Sequence, residues 1–180
     1  MLALVVTVCL AAWFAFTFNR FINRRQMVGE AWSGIDVQLK RRHDLIPQLV
    51  DVVKGYRDYE RQLVERVTTL RTQSMGITTV KEKGPAETEL SRELHSLLAV
   101  AEAYPDLKAN QQFLELQRSL VAVEDEIQLA RRYYNGAVRD LNILVESFPS
   151  KLVASVCGIR SADYFELESP SERATPSVSV

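Results

Sequence analysis

The first 18 residues of the chain, from Met1 to Phe18, contain no charged side chain. A helix rises about 1.5 Å per residue, so this segment is roughly 27 Å long, close to the hydrocarbon thickness of a bilayer. A cleaved signal peptide is the alternative, but it would need a basic start and a cleavage site with small residues, and the segment has neither. The segment therefore predicts a transmembrane helix, with the lipid bilayer as its partner.

Three arginines flank the C-terminal end of this segment: Arg20, Arg24 and Arg25. Positively charged flanks are retained on the cytoplasmic side of a membrane. We therefore assign residues 1–25 to a single-pass anchor with a basic flank. The expected orientation places the N-terminus outside and the bulk of the chain in the cytoplasm.

Length and composition limit the fold of the chain beyond the anchor. About 140 of the 180 residues remain after the apolar start and the Ser/Pro-rich end, enough for one domain. Twenty-two basic residues balance 23 acidic ones, so no overall field attracts nucleic acid. Two cysteines, Cys9 and Cys157, are too few for a disulfide framework or a multi-cysteine zinc site.

Apolar residues from Val28 onward predict a long amphipathic helix. They recur at spacings of three and four, the pattern of a heptad seam. The seam consists of Val28, Trp32, Ile35, Leu39, Ile46, Leu49, Val53, Tyr56, Leu63, Val67 and Leu70. Pro47 interrupts it and removes one backbone hydrogen bond, but the apolar phase continues on both sides. We therefore expect a kink at Pro47 within one helix, not a hairpin.

Two further helices are predicted. Residues 75–85 (MGITTVKEKGP) lack apolar periodicity and contain two glycines and a proline, which indicates the main internal loop. A shorter helix follows from about Ala86 to Ala103. The last helix has the most regular seam, from Phe113 to Phe148, with Asn110 as its N-cap and Pro149 as its stop.

These elements predict an all-α protein: a transmembrane helix followed by an antiparallel bundle of three to four helices. Only an antiparallel pairing of the two longest helices buries both seams. We assign residues 26–160 to the bundle and residues 161–180 to a disordered tail. In this arrangement residues 148–159 (FPSKLVASVCGI) return toward the membrane, whereas a simple up-down-up bundle would place them at the distal tip.

A search for catalytic chemistry is mostly negative. A di-iron bundle needs Glu three residues before His, but Lys40 precedes His43 and Arg92 precedes His95 at that spacing. The sequence has no Gly-rich phosphate loop and no HExxH helix. Catalytic partners distant in sequence remain open. We expect no enzyme, cofactor, metal site or small-molecule substrate.

Charged residues inside the seam are the more informative feature. Arg42 and Glu60 occupy positions where an apolar residue is expected, and such charges usually pair across helices. Antiparallel packing would bring Asp140 or Glu146 to Arg42, and Arg131 to Glu60. A binding site at a charged gap in the core is the alternative.

The neighbouring basic run, Lys40 to His43, is interpreted as a solvated face. Successive helix positions point in different directions, so these residues do not form one stripe for nucleic acid. His43 itself is expected to be a surface or capped histidine.

Four stretches carry a resemblance to a known family: residues 31–56 (AWSGIDVQLKRRHDLIPQLVDVVKGY), 99–110 (AVAEAYPDLKAN), 130–135 (ARRYYN) and 148–149 (FP). Through these motifs the chain resembles the LemA family of bacterial membrane proteins, from Met1 to about Glu166. The resemblance implies one N-terminal membrane helix with the N-terminus outside, a helical soluble part and no assigned enzymatic activity.

Two positions depart from the family pattern. The family's His-Glu pair after the Gly-Tyr helix is Tyr59-Glu60 in this chain, and its second Tyr-Asn pair is Leu141-Asn142. A metal or acid-base role resting on that histidine is therefore not carried over.

The functional hypothesis is a scaffold or adaptor anchored in the bacterial inner membrane, acting on an unidentified protein partner or on itself. The alternative is a regulatory subunit or modulator of a membrane protease or an envelope-stress complex.

Overall fold

The computed structural model describes residues 1–55, 61–101 and 103–166. These residues form six helices and no strand, which confirms the predicted all-α fold. The helices are α1 (Leu2–Lys54), α2 (Arg61–Gly76), α3 (Val80–Ala101), α4 (Pro105–Lys108), α5 (Gln111–Glu146) and α6 (Ser150–Val156).

The chain divides into two compact units. Unit 1 comprises Met1–Asp36 and Leu129–Tyr164, and unit 2 comprises the described residues of Val37–Gln128 together with Phe165 and Glu166. Helices α1 and α5 each contribute to both units.

The start of α1 meets the length and composition of a membrane-spanning helix, and it is the only helix of the described residues that does. Apolar side chains here are exposed: Leu2 is 81% exposed, Leu4 70% and Leu10 61%. The core helix of a soluble protein would bury such residues. The predicted transmembrane segment therefore corresponds to an apolar helix that unit 1 leaves uncovered.

Within unit 1, α1 and α5 pack antiparallel. Arg24 lies 3.3 Å from Asp140, and two turns further along α1 the ring of Trp32 meets the edge of Tyr134 with centroids 5.5 Å apart. Residue numbers rise on α1 while they fall on α5, as the antiparallel prediction requires. Helix α6 closes this core, where Val153 and Ala154 cluster with Phe21 and Leu141.

The segment after α6 has no regular structure but is held to α5 by side chains. Asn142 accepts a hydrogen bond from the Ala162 N–H at 2.8 Å and donates one to its carbonyl at 3.0 Å. The Tyr134 hydroxyl donates to the Asp163 carbonyl at 2.9 Å. Burial raises the pKa of Tyr134, and the nearby Asp163 charge adds to this, so its hydroxyl remains a donor. These side chains replace the backbone partners that a helix or strand would supply.

Unit 2 has its own apolar core, to which α1, α2, α3, α4 and α5 all contribute. Its buried members include Ile46, Leu49, Val53, Val64, Val67, Leu90, Leu94, Leu97, Leu107, Phe113, Leu116 and Leu120. The apolar seams predicted from the sequence therefore supply this core. The prediction distributed them over three long helices, whereas the structure distributes them over five.

The first predicted helix is divided, and the prediction of one helix to Leu70 was wrong. Helix α1 is continuous through Pro47 but ends at Lys54, and α2 begins at Arg61. Arg71 Nε donates to the His43 carbonyl at 2.6 Å. On one straight helix these residues would be about 42 Å apart. The chain therefore turns back between α1 and α2, and the apolar phase continues because both helices face the same core.

Pro47 explains why Arg71 makes this contact. In a regular helix the N–H of residue 47 would donate to the carbonyl of residue 43, but proline has no N–H. The His43 carbonyl is left without its helical partner, and the Arg71 guanidinium of α2 donates to it instead. A helix defect in α1 thus becomes the attachment point of α2.

The predicted loop at 75–85 was too long. Helix α3 begins at Val80, and Thr79 Oγ1 donates to Glu82 Oε2 at 2.8 Å. Thr79-Val80-Lys81-Glu82 is a Thr-x-x-Glu sequence, which is typical of a helix start. This motif was the overlooked signal. Pro85 is the sixth residue of α3, and the helix continues through it although the missing N–H removes one helical hydrogen bond.

Phe165 is fully buried, so the folded part extends beyond the boundary predicted at residue 160. A Cβ at Gly84 would collide with the Glu166 carbonyl oxygen, so only glycine permits this approach. Residues 167–180 of the predicted tail lie outside the described residues.

The prediction for α5 was accurate. Asn110 Oδ1 accepts the Phe113 N–H at 3.0 Å, which is an N-cap bond, and the helix ends at Glu146, shortly before Pro149.

Replacing Arg71 with methionine tests the role of Pro47. Losing a charge-assisted bond to a buried carbonyl should lower the free energy of unfolding by about 1.5–3 kcal/mol. In a Pro47→Ala background residue 47 regains its N–H, so Arg71→Met should cost less. Denaturant unfolding of the four proteins in detergent measures both costs.

Arg66→Met on the same helix is the control, because Arg66 is 53% exposed and pairs with Glu89 and Glu93 at the surface. Its cost should be small and the same in both backgrounds. An Arg71→Met cost that is unchanged by Pro47→Ala would refute the interpretation.

Candidate functional site

A cluster of charged side chains lies in the core of unit 2. Arg42 is 1% exposed and Glu87 is 0% exposed. Removing charges from water is costly unless they are paired and hydrogen-bonded. The partners of these two groups therefore decide what the cluster does.

Glu87 is bound on both carboxylate oxygens. Arg42 donates to Oε2 from α1, and Ser74 donates to Oε1 from α2. His43 Nε2 also lies 3.1 Å from Oε1, but without the alignment of a hydrogen bond, so its attraction is electrostatic and applies when the ring is protonated. A single carboxylate on α3 thus joins α1 and α2.

Arg42 extends the cluster to α5. One guanidinium nitrogen donates to Glu124 Oε2 at 2.8 Å and to Ser91 Oγ, while the other also donates to the Glu87 carbonyl at 3.4 Å. Glu124 is 23% exposed, so it connects the cluster to solvent. The arrangement pairs a buried cation with one buried and one half-buried anion.

The carboxyl group of Glu87 is held in its ionised form. Burial raises the pKa of Glu87, but the adjoining His43, Arg42 and Ser74 together lower it by more than burial raises it. The pKa is therefore about 2, against an ordinary value of 4.5. The group therefore stays charged throughout the physiological range.

Helical spacing places these groups together. Glu87 lies three residues before Leu90, which lies four residues before Leu94, so Glu87 belongs to the buried seam of α3. Ser91 follows Glu87 by one turn. This seam position was a sequence signal for Glu87. Pairing it with Arg42 required the turn between α1 and α2, which was not predicted.

The space beside the cluster is small. A cavity of about 20 Å³ is bordered by Arg42, Ser91, His95 and Glu124. This volume holds about one water molecule. Within the described ranges, no three His, Cys, Asp or Glu side chains are grouped to hold a metal ion. The geometry is therefore that of a packed polar core.

The partners predicted for Arg42 were wrong. It pairs with Glu87 and Glu124, whereas Asp140 pairs with Arg24 in unit 1 and Glu146 accepts a weak bond from Ser161. The prediction that α5 supplies a partner for Arg42 was correct, but that partner is Glu124 and not Asp140 or Glu146.

The other predicted site residues lie elsewhere. Glu60 is outside the described residues, so its pairing with the half-buried Arg131 stays a prediction. Arg20 and Arg25 are exposed beyond the apolar segment, and Arg24 is half-buried beside Asp140.

The interpretation of the basic run as a solvated face was half right. Lys40 and Arg41 are exposed, but His43 is 5% exposed and faces the core with Arg42. A helix turns 100° per residue, so one four-residue run contributes to both faces.

Replacing Glu87 with glutamine tests the cluster. This change leaves the Arg42 charge buried with one anion fewer, and breaking a buried pair costs about 3–5 kcal/mol. The difference in unfolding free energy between the two proteins should depend on pH. It should be full above pH 4.5, where Glu87 is ionised in both folded and unfolded states, and should shrink as pH falls toward 2. Denaturant unfolding between pH 7 and pH 2 measures it.

Glu89→Gln is the matched control on the same helix, because Glu89 is 40% exposed and pairs with Arg66 at the surface. Its effect should be below about 1 kcal/mol at every pH. A Glu87→Gln effect that is equally small, or independent of pH, would show that the pair does not stabilise unit 2.

Comparison with known proteins places the chain in a family. The LemA family matches residues 31–180. Protein LemA of Metamycoplasma hominis is 26% identical over 82% of this chain and 68% of its own length. Magnetosome protein MamQ 2 of Paramagnetospirillum magneticum is 22% identical over 92% of this chain and 70% of its own length. MamQ of Magnetospirillum gryphiswaldense is 21% identical over 82% of this chain and 64% of its own length.

The family match covers most of the chain, including α1 from Ala31, the buried cluster and α6. It agrees with the all-helical structure and with the single apolar N-terminal helix. The protein is a membrane-associated helical protein that belongs to the LemA family.

Proposed function

We propose that this protein is a non-enzymatic scaffold or adaptor anchored in the bacterial inner membrane, and that it acts through contact with another protein or with a second copy of itself. The observation that carries the proposal is a row of exposed apolar side chains on α5. In unit 1, Leu129 is 51% exposed, Tyr133 55% and Ile143 56%.

These three residues share one side of the helix. At 100° per residue they lie within about 80° of one another, roughly opposite the buried Tyr134 and Val138. The seam of α5 already packs in the core, so this second row is not required for folding. Exposed apolar rows of this kind are typical of protein contact surfaces.

The buried cluster supports a role without turnover. Its charges are paired with one another, and the adjoining cavity has room for about one water. Active sites usually leave a larger pocket in which polar groups converge on a substrate. We assign to Arg42 and Glu87 the task of fixing how the helices of unit 2 pack.

The proposed orientation places the N-terminus outside and the rest of the chain in the cytoplasm, because Arg20, Arg24 and Arg25 follow the apolar segment.

Cysteine labelling tests this orientation. The variant Arg92→Cys, with Cys9 and Cys157 changed to alanine, carries one cysteine at an exposed position and shows on which side of the membrane the domain lies. In intact spheroplasts a membrane-impermeant maleimide should label it only after permeabilisation. Labelling before permeabilisation would reverse the orientation.

Photocrosslinking tests the contact surface. With p-benzoylphenylalanine at Tyr133, the full chain in intact membranes should form a discrete crosslinked species, because the side chain is exposed on the α5 row. Mass spectrometry of that species identifies the partner. A crosslink to a second copy indicates self-assembly, and a crosslink to a membrane protease indicates the regulatory alternative.

The control places the same crosslinker at Arg92 of α3, whose side chain is 68% exposed but lies off the row. It should give no discrete product. Changing Leu129 to Glu should abolish the Tyr133 product without unfolding the chain. Equal products from both sites, or none from Tyr133, would count against the proposed surface.

A further inference from the structure

Unit 1 contains a cavity of about 440 Å³ beside the apolar segment of α1. Its wall on α1 is formed by Trp13, Thr17 and Arg20, and its opposite wall includes Ser147, Phe148 and Pro149. The volume is within the usual range of ligand pockets, about 300–1,000 Å³. The connection between α5 and α6, which we call the α5–α6 corner (residues 147–150), thus lies alongside the membrane segment.

The depth of this corner follows from its neighbours on α1. Trp13 and Thr17 belong to the uncharged segment, and Trp13 lies about 10 Å before Arg20 along the helix. Thr17 is 5% exposed, although the apolar residues around it are open. The α5–α6 corner therefore lies at a level of α1 that the bilayer should surround.

The surface of the corner is suited to that environment. Phe148 is 83% exposed, and on α6 Leu152 is 57% and Val156 78% exposed. Leu152 and Val156 are one turn apart on one side of α6, while Val153 and Ala154 on the other side are buried. Helices with one exposed apolar face lie in the membrane interface, and this face of α6 suits that position.

The lining of the cavity changes from apolar to charged along α1, as a phospholipid changes from acyl chain to phosphate. Trp13 lies at its apolar end, and Arg20 and Arg24 lie at the other end. Arg24 pairs with Asp140 at 3.3 Å, whereas Arg20 has no ion-pair partner among the described residues. A guanidinium at headgroup depth binds phosphate well.

We propose that the α5–α6 corner is a second membrane contact, in which Phe148 inserts among the acyl chains and the adjoining cavity holds the phosphate and glycerol end of one phospholipid, with the phosphate bound by Arg20. The protein is then attached to the bilayer at two points, α1 and the corner, and the orientation of unit 1 relative to the membrane is fixed. This inference does not depend on Leu129 or Tyr133 of the α5 contact row, although Ile143 of that row also borders the cavity.

Depth-dependent quenching tests the insertion. The full chain, with Cys9 and Cys157 changed to alanine and Phe148→Cys labelled with bimane, is reconstituted in phosphatidylcholine/phosphatidylglycerol vesicles that contain acyl-brominated lipid. The label should be quenched several-fold more than the same label at Tyr133→Cys. That control site is exposed on α5 in the same unit, about 22 Å from Phe148 along the chain's helical rise.

A label at Ser147→Cys provides a second measurement in which Phe148 is retained, and it should also be quenched. Circular dichroism confirms that each labelled protein is helical. Quenching at both corner sites that is no greater than at Tyr133→Cys would overturn the insertion.

The phosphate contact is tested by placing the bromine on one lipid class at a time. The Phe148→Cys label should be quenched more by brominated phosphatidylglycerol than by brominated phosphatidylcholine, because the net anionic lipid is favoured at Arg20. Arg20→Gln should remove this preference, and Arg25→Gln, which does not border the cavity, should retain it. Equal quenching by the two lipids with Arg20 present would overturn the phospholipid site.

Discussion

The ionised carboxylate of Glu87 is the group on which the packing of unit 2 depends. It has no access to water, so its charge is tolerated only while Arg42 and Ser74 donate to it. Those donors come from α1 and α2, and Arg42 also reaches Glu124 on α5. Apolar side chains can slide past one another at small cost, but the bonds from Arg42 and Ser74 to Glu87 form only where these three residues meet. Burial of apolar residues drives the association of the helices, and the cluster selects their alignment.

Pro47 acts on the same register from the backbone. It leaves the His43 carbonyl without its helical donor, and Arg71 of α2 supplies a replacement. The side chain of His43 faces Glu87, so one residue of α1 is fixed through its carbonyl and lies against α3 through its ring. A feature that would weaken an isolated helix thereby adds specificity to the assembled one.

Local patterns in the sequence predicted much of the fold. The uncharged start indicated the membrane segment, and the seam of α5 with its Asn110 cap gave a helix within two residues of its observed end. Periodicity reports which face of a helix is buried, but not whether two helices in phase are joined, so the turn after Lys54 escaped detection. The partners of Arg42 escaped for the same reason. Recognising Glu87 required reading a polar residue as part of an apolar seam.

The near-zero mean hydropathy of the chain, −0.09, conceals an unusual distribution of polarity. Charged Arg42 and Glu87 are inside, while Phe148, Leu152 and Val156 are outside. In water alone this arrangement would be unfavourable on both counts. Beside a bilayer the exposed apolar residues contact acyl chains instead of water, and the buried charges are stabilised by pairing with one another. Surroundings that include lipid account for the outer surface of unit 1, whereas internal pairing accounts for the core of unit 2.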